Sequence, residues 1–319
     1  MKKAVKCIRD NNTFLITMHV NMEGDAVGSA LAFRRLVEKL GKKAVVINDD
    51  PVPQVYSFLP GTSGILLPQR RPPGKFDCFT ALDCSDLKRC GKAAEAASAA
   101  RSILNIDHHI SNVNFGSVNW VDPASSSASE MVYLLYKKMN VPFDNESALL
   151  LYAGMMTDTG SFRYTNTSPE THRAAAELMP YGINPADVYR RIYEASSYAD
   201  MQALTRILGT MRKDASGKLI WFEVGRDIMP RRKMEMDLTE QILSYARSVK
   251  EAEVVVLFRE NFSGKGEVRV NFRSRGKIDV NIIAGMFGGG GHATASGCTV
   301  SGGLKKVAKK VLSAVKEKI

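Results

Sequence analysis

The apolar run Phe14-Leu15-Ile16 passes through His19-Val20-Asn21-Met22-Glu23-Gly24-Asp25 into a helical pattern. In that pattern Val27, Ala30, Leu31, Val37 and Leu40 share one face, and Gly41 supplies the stop. A strand feeding directly into an amphipathic helix is half of a βαβ unit. Such units stack into a parallel sheet covered by helices on both faces, with ligands beyond the carboxyl ends of the strands. One imidazole and two carboxylates lie at this turn, and mixed nitrogen and oxygen donors suit manganese, iron or zinc.

The same grammar recurs. Strand-like runs fall at 13–18, 44–47, 76–82 and 103–106, and 92–100 is alanine-rich and helix-prone. Residues 126–198 read as several helices, broken near Pro142 and between 157 and 168. A helical connector is expected near 198–211. Beyond it the spacing predicts strands over 218–224, 253–259 and 267–273, a turn at Lys265-Gly266, and helices over 238–249 and 301–318. The expected architecture is α/β: an N-terminal, mostly parallel sheet flanked by helices, joined by a helical connector to a smaller α/β domain. The expected boundaries are 1–197, 198–214 and 215–319, which suits a chain of 319 residues.

Charge divides along the same line. Residues 1–204 hold 22 basic and 21 acidic residues, whereas 205–319 hold 22 basic and 12 acidic, so nearly all of the net +11 lies in the last third. A domain that holds a polyanion explains this, and so does a solvated basic surface. Cys7, Cys78, Cys84, Cys90 and Cys298 form no C-x-x-C pair, which predicts reduced thiols and a cytoplasmic setting. The start of the chain offers no signal-peptide core, and the apolar run over 148–156 is far short of the roughly 20 residues of a membrane span. No membrane association is expected.

The predicted strand ends carry the chemistry. The run over 76–82 ends at Leu82-Asp83-Cys84-Ser85-Asp86, and the run over 103–106 ends at Asp107-His108-His109. An apolar segment later leads to Thr157-Asp158-Thr159-Gly160. In a parallel sheet those strand ends share one edge, so distant residues converge. His19, Glu23, Asp25, Asp83, His108 and Asp158 then form a candidate ligand set. Two imidazoles and four carboxylates suit two divalent ions roughly 3.5–4 Å apart, an arrangement fitted to phosphoryl transfer. Of the five histidines, His172 alone, beside Arg173 on a helix, reads as structural.

These four segments, in this order, resemble the motifs of the DHH phosphoesterase superfamily. The resemblance implies that His19, Glu23 and Asp83 hold one manganese ion. Asp25, Asp83, His108 and Asp158 would hold the other, with Asp83 bridging. It implies that Asp107 orients an imidazole from behind and that His109 faces the substrate phosphate as a donor or general acid. Two positions depart from the family pattern: Glu23 stands where aspartate is usual, and Met22 where proline is usual. Glutamate keeps the charge and adds a methylene, so the expectation is a tolerated variant that still holds two ions.

The last third contains Phe272-Arg273-Ser274 and Gly288-Gly289-Gly290-Gly291-His292. Four glycines leave the backbone open to an anion, an arginine can clamp a phosphate with a bidentate fork, and a histidine can donate to one. A flexible loop accounts equally for the glycines alone. Taken together these segments resemble the DHH-associated C-terminal domain, whose glycine-rich motif binds the nucleotide part of the substrate. Arg163, in Ser161-Phe162-Arg163-Tyr164, is a further candidate phosphate contact, or simply a surface arginine. A two-domain chain of this size most resembles the group of small oligoribonucleases with PAP phosphatase activity. The implied substrates are short RNA, linear dinucleotides and 3′-phosphoadenosine 5′-phosphate (pAp), and the architecture is compatible with a homodimer. A soluble cyclic-dinucleotide phosphodiesterase, a single-strand exonuclease of the same superfamily, and a non-catalytic nucleotide-binding protein stay open as alternatives.

Overall fold

In the computed structural model, β1 (Thr13–Met18) is buried on both faces, which explains its unbroken apolar run. Phe14, Ile16 and Met18 join one core, and Leu15 joins another on the opposite face. The structure describes residues 1–70, 74–226, 228, 238–261 and 266–319, with the side chain of Glu240 left out. It divides into two compact units, Met1–Ala195 and Ser196–Ile319.

The first unit is built on a parallel sheet of order β2-β1-β3-β4-β5. Its other strands are β2 (Lys43–Val46), β3 (Cys78–Leu82), β4 (Ser102–Asp107) and β5 (Val118–Val121). The larger core includes residues of α1 (Lys2–Asp10), α2 (Gly24–Lys39), α3 (Ala128–Met139), α4 (Asn145–Asp158), α5 (Pro169–Leu178) and α6 (Pro185–Tyr193). On the other face, Phe79 and Ala81 pack with Cys90, Ala93 and Ala97. The alanine-rich stretch is therefore helical as expected, but as 3₁₀ turns over Leu87–Ala99 that break at Gly91 (φ 59°). Asp49 Oδ2 holds the Lys92 N–H at 2.7 Å just past that break.

Helices α2 and α4 meet through glycines. A Cβ at Gly28 would lie 2.5 Å from the Leu150 carbonyl oxygen and 3.3 Å from Gly154 Cα, and one at Gly154 would lie 1.9 Å from Ser129 Oγ of α3. The apolar stretch over 148–156 is the interior of α4, packed on all sides instead of spanning a bilayer. Among the described residues no helix is long and apolar enough to cross a membrane.

The second unit holds a mixed sheet of order β10-β11-β9-β8-β7-β6, in which only β7 and β8 pair in parallel. Its strands are β6 (Arg212–Lys213), β7 (Leu219–Val224), β8 (Val254–Glu260), β9 (Glu267–Ser274), β10 (Gly290–His292) and β11 (Ala295–Ser301). One face packs residues of α7 (Tyr198–Leu208) and α8 (Thr239–Arg247), including Ala203, Leu204, Ile207 and Leu243. The other face packs α9 (Val280–Gly285) and α10 (Leu304–Lys316) through Ile283, Val307, Val311 and Val315. Of the predicted turn at Lys265-Gly266, Lys265 lies outside the described residues.

Candidate metal centre

Register places the site. Met18 pairs with Leu82, and Leu82 with Ile106, so His19, Asp83 and Asp107 follow one another in a row across β1, β3 and β4. Asp83 turns away from its strand with φ 57°, a left-handed conformation that costs on the order of 1 kcal/mol for a non-glycine residue. Asp25 enters from the first turn of α2, and Asp158 is the last residue of α4.

Asp83 stands at the centre. Its Oδ2 faces His19 Nε2 at 3.4 Å, and its Oδ1 faces His108 Nε2 at 3.4 Å. His108 Nε2 also lies 3.5 Å from Asp158 Oδ2 and 3.9 Å from Asp25 Oδ2. The other ring nitrogens fix the orientation of both imidazoles. His19 Nδ1 donates to the Val20 carbonyl at 2.8 Å and His108 Nδ1 to the Ser125 carbonyl at 3.3 Å, which turns each Nε2 toward the acids.

Burial and charge act in opposite directions here. Burial disfavours ionised Asp83, but His108 and His19 outweigh it and hold its carboxyl well below the usual range. Burial pushes the Asp158 carboxyl well up; His108 opposes this, while Asp25, Asp83 and Glu23 add to it. Asp25 is pushed up to about 6 by burial and by Asp83, against His108 and Ser129. Burial works against a charged His108, but Asp158, Asp83 and Asp25 raise it well above the ordinary imidazole value. The acids thus crowd more negative charge into a buried space than the imidazoles offset.

That is the electrostatic signature of a cation site. Donor atoms of Asp25, Asp83 and His108, all buried, lie within 4.8 Å of one another, so the cluster is able to chelate a divalent metal. Asp83 Oδ1 is buried with no hydrogen-bond donor among the described residues, which a metal would remedy. Asp83, Asp107 and His109 are equally close, but both Asp107 oxygens are taken. His109 Nδ1 donates to Oδ1 at 2.7 Å and Asn112 Nδ2 to Oδ2 at 2.6 Å. Asp107 therefore orients His109 and is not left open to a metal.

The remaining candidates of this unit are less central. Glu23 is the exposed N-cap of α2 and forms part of neither cluster, though its charge raises His19 and Asp158. Arg163 is exposed and donates from Nε to the Gly160 carbonyl at 2.7 Å. It follows three successive residues, Gly160, Ser161 and Phe162, with φ between 55° and 62°. His172 stacks on Phe162 at 5.5 Å and gives no ligand atom to the clusters.

Several supporting groups carry no sequence signal of their own. The segment over 125–130 touches two of the ligand candidates and connects to a third through Asn166. Ser125 accepts from His108, the Ala128 and Ser129 N–H groups donate to Asp25 at 2.7 and 2.8 Å, and Ser126 O accepts from Asn166, which also reaches Asp158. Buried Glu130 anchors that segment by accepting from the Ser126 N–H and hydroxyl and from Thr171 Oγ1. Arg89, beyond β3, reaches His109 Nε2 from Nη1 at 3.4 Å.

In the second unit, Arg273, Ala295 and His292 lie in register across β9, β11 and β10. The glycine run is partly strand: Gly290 and Gly291 pair with β11, and only Gly288 forms an open turn (φ 73°). Glycine at 289 and 291 is a matter of space, since a Cβ would lie 2.2 Å from the Gly297 carbonyl oxygen and 2.5 Å from that of Ala295, respectively. Ser274 falls on the core face of β9 with Val268, Val270 and Phe272, where its Oγ accepts from the Gly276 N–H at 2.9 Å. Arg273 points to the opposite face, and the period-two alternation from Val268 onward marks the difference.

Residues 13–155 match the DHH family, N-terminal domain, and residues 217–319 match the DHHA1 domain. The chain is 34% identical over 308 residues to the bifunctional oligoribonuclease and PAP phosphatase NrnA of Thermus thermophilus, spanning 95% of this chain and 89% of that protein. It is 25% identical over 300 residues to the protein of the same name from Bacillus subtilis, spanning 93% and 92%. The crystal structure of an exopolyphosphatase-related protein from Bacteroides fragilis is similar over 100% of this chain and 96% of that one, with a TM-score of 0.88 at 27% identity.

Proposed function

The chain belongs to the DHH family, with a DHHA1 domain following the DHH domain, and on that premise we propose a two-metal, manganese-dependent phosphoesterase. Its substrates are short oligoribonucleotides, cut to nucleoside monophosphates, and pAp, from which it removes the 3′-phosphate. The names of the Thermus and Bacillus relatives support the substrate class. A cytoplasmic setting belongs to the same reading and is in keeping with five buried, unpaired cysteines.

One observation carries the proposal: Asp83 turns its two oxygens to two different imidazoles. A carboxylate placed so is suited to bridge. His19, Glu23 and Asp83 would hold one ion, and Asp25, Asp83, His108 and Asp158 the other. When bound, such ions neutralise charge on the phosphate and acidify water for attack. The remaining groups position and exchange protons. Asp107 holds the ring of His109 so that Nε2 is the atom that gives or takes a proton at the substrate. Arg273 and His292, level with each other on their sheet, serve the nucleotide's phosphate.

The test is metal-depleted protein reloaded with manganese and assayed on a 5′-phosphorylated diadenosine dinucleotide, pAp, cyclic di-AMP and a long single strand. AMP release from the first two, abolished in Asp83→Ala, is expected. Preferential cleavage of the cyclic dinucleotide or the long strand would replace this substrate assignment.

A further inference from the structure

Arg89 holds a positive charge where the metal centre by itself gives it no reason to be. It sits half-buried in the 3₁₀ segment after β3, and its main-chain carbonyl accepts the Val20 N–H at 2.8 Å, next to His19. Nη1 alone is engaged among the described residues, with Ser85 Oγ and His109 Nε2 each at 3.4 Å. Among the described residues, no carboxylate lies within 4.0 Å of the guanidinium, and Nε and Nη2 have no acceptor. Elsewhere in the same unit Arg34 and Arg35 both reach carboxylates.

Once divalent cations fill the neighbouring cluster, a guanidinium at this place would be repelled by them. An anion lying between it and the cluster would offset both charges. The fork geometry fits this, because with Nη1 held by Ser85 Oγ and turned toward His109 Nε2, the Nε and Nη2 hydrogens remain for two oxygens of one tetrahedral anion.

We propose that Arg89 is a catalytic residue that grips the non-bridging oxygens of the scissile phosphate, in a phosphodiester or a phosphomonoester alike. This rests on the phosphoesterase reading above and adds to it the group that orients the phosphate against His109. Ser85 has a positioning role, since its hydroxyl fixes the plane of the guanidinium.

The experiment pairs two readouts on full-length, manganese-loaded protein: calorimetric titration with inorganic phosphate, and steady-state hydrolysis of the dinucleotide. Arg89→Ala and Arg89→Gln should bind phosphate at least about tenfold more weakly and lose about 10²-fold in kcat/KM, with manganese content unchanged. Arg89→Lys should recover part of the phosphate affinity and less of the rate, since it restores charge without the fork. Melting curves establish that each variant is folded, and the glutamine and lysine variants decide the matter if the alanine variant is not. Folded variants within twofold of wild type in both readouts would overturn the proposal, as would loss of manganese in parallel with activity. If the wild type hydrolyses no phosphoester, the functional reading fails, and the phosphate titration still decides whether Arg89 is an anion ligand.

Discussion

His109 Nδ1 lies 2.7 Å from Asp107 Oδ1, and Asp107 has no exposed surface. Asn112 holds the second oxygen of the same carboxylate, so the pair is fixed from behind and His109 Nε2 is the working atom. Asp107→Ala should lower kcat by about 10- to 100-fold and leave the metal content unchanged, because the residue orients and does not ligate. Metal analysis of the purified variant checks this. A parallel loss of metal would make Asp107 a ligand.

Gly154 is where helix packing and the metal site share one constraint. A Cβ there would lie 1.9 Å from Ser129 Oγ and 3.0 Å from Asp25 Oδ1. Gly154→Ala should destabilise the protein by about 1–3 kcal/mol and weaken divalent-metal binding by displacing Asp25. Chemical denaturation measures the first effect and metal titration the second. A variant of normal stability and metal affinity would show that the helices part without disturbing the site.

Proton competition should set the pH dependence of metal binding. Burial and Asp83 push Asp25 up to about 6, burial pushes Asp158 well up, and neighbouring acids, against burial, raise His108. All three are raised, so in the metal-free protein they keep protons to higher pH than usual, and a cation must displace those protons. Affinity should therefore start to fall above the ordinary imidazole range, where His108 takes up its proton, and fall further as pH drops through about 6, and binding should release protons. Calorimetry in buffers of different ionisation enthalpy measures the release. An affinity flat between about pH 5 and pH 8, with no proton release, would contradict the account.

Glu23 is exposed and lies outside the tight clusters. The expectation is two manganese ions per wild-type chain and one in Glu23→Ala, with the melting behaviour of the metal-free protein nearly unchanged. Atomic absorption on dialysed protein supplies the counts. One ion in the wild type would mean that the longer side chain does not complete its site.

The convergence of ligand candidates was legible because a parallel sheet aligns strand ends: Met18, Leu82 and Ile106 share a row, and the residue after each is polar. What was not legible depends on contacts far apart in the chain. Asp25 takes hydrogen bonds from Ala128 and Ser129, more than 100 residues away, and no local pattern announces such a pairing. Arg89 gives no periodic signal, and its meaning comes only from the neighbouring His109. β11 runs through Ala295-Ser296-Gly297-Cys298-Thr299, where small residues blur the apolar alternation, and pairing with β9 and β10 makes it a strand. β5 is four residues long, and only Trp120 in it is buried.

The most direct test of the central claim is a crystal structure of the manganese-soaked protein, with anomalous scattering recorded at the manganese edge. Two manganese peaks per chain are expected, one beside His19 and the other beside His108 and Asp158, with the two oxygens of Asp83 divided between them. A single peak, or two peaks that both leave Asp83 uncoordinated, would contradict it.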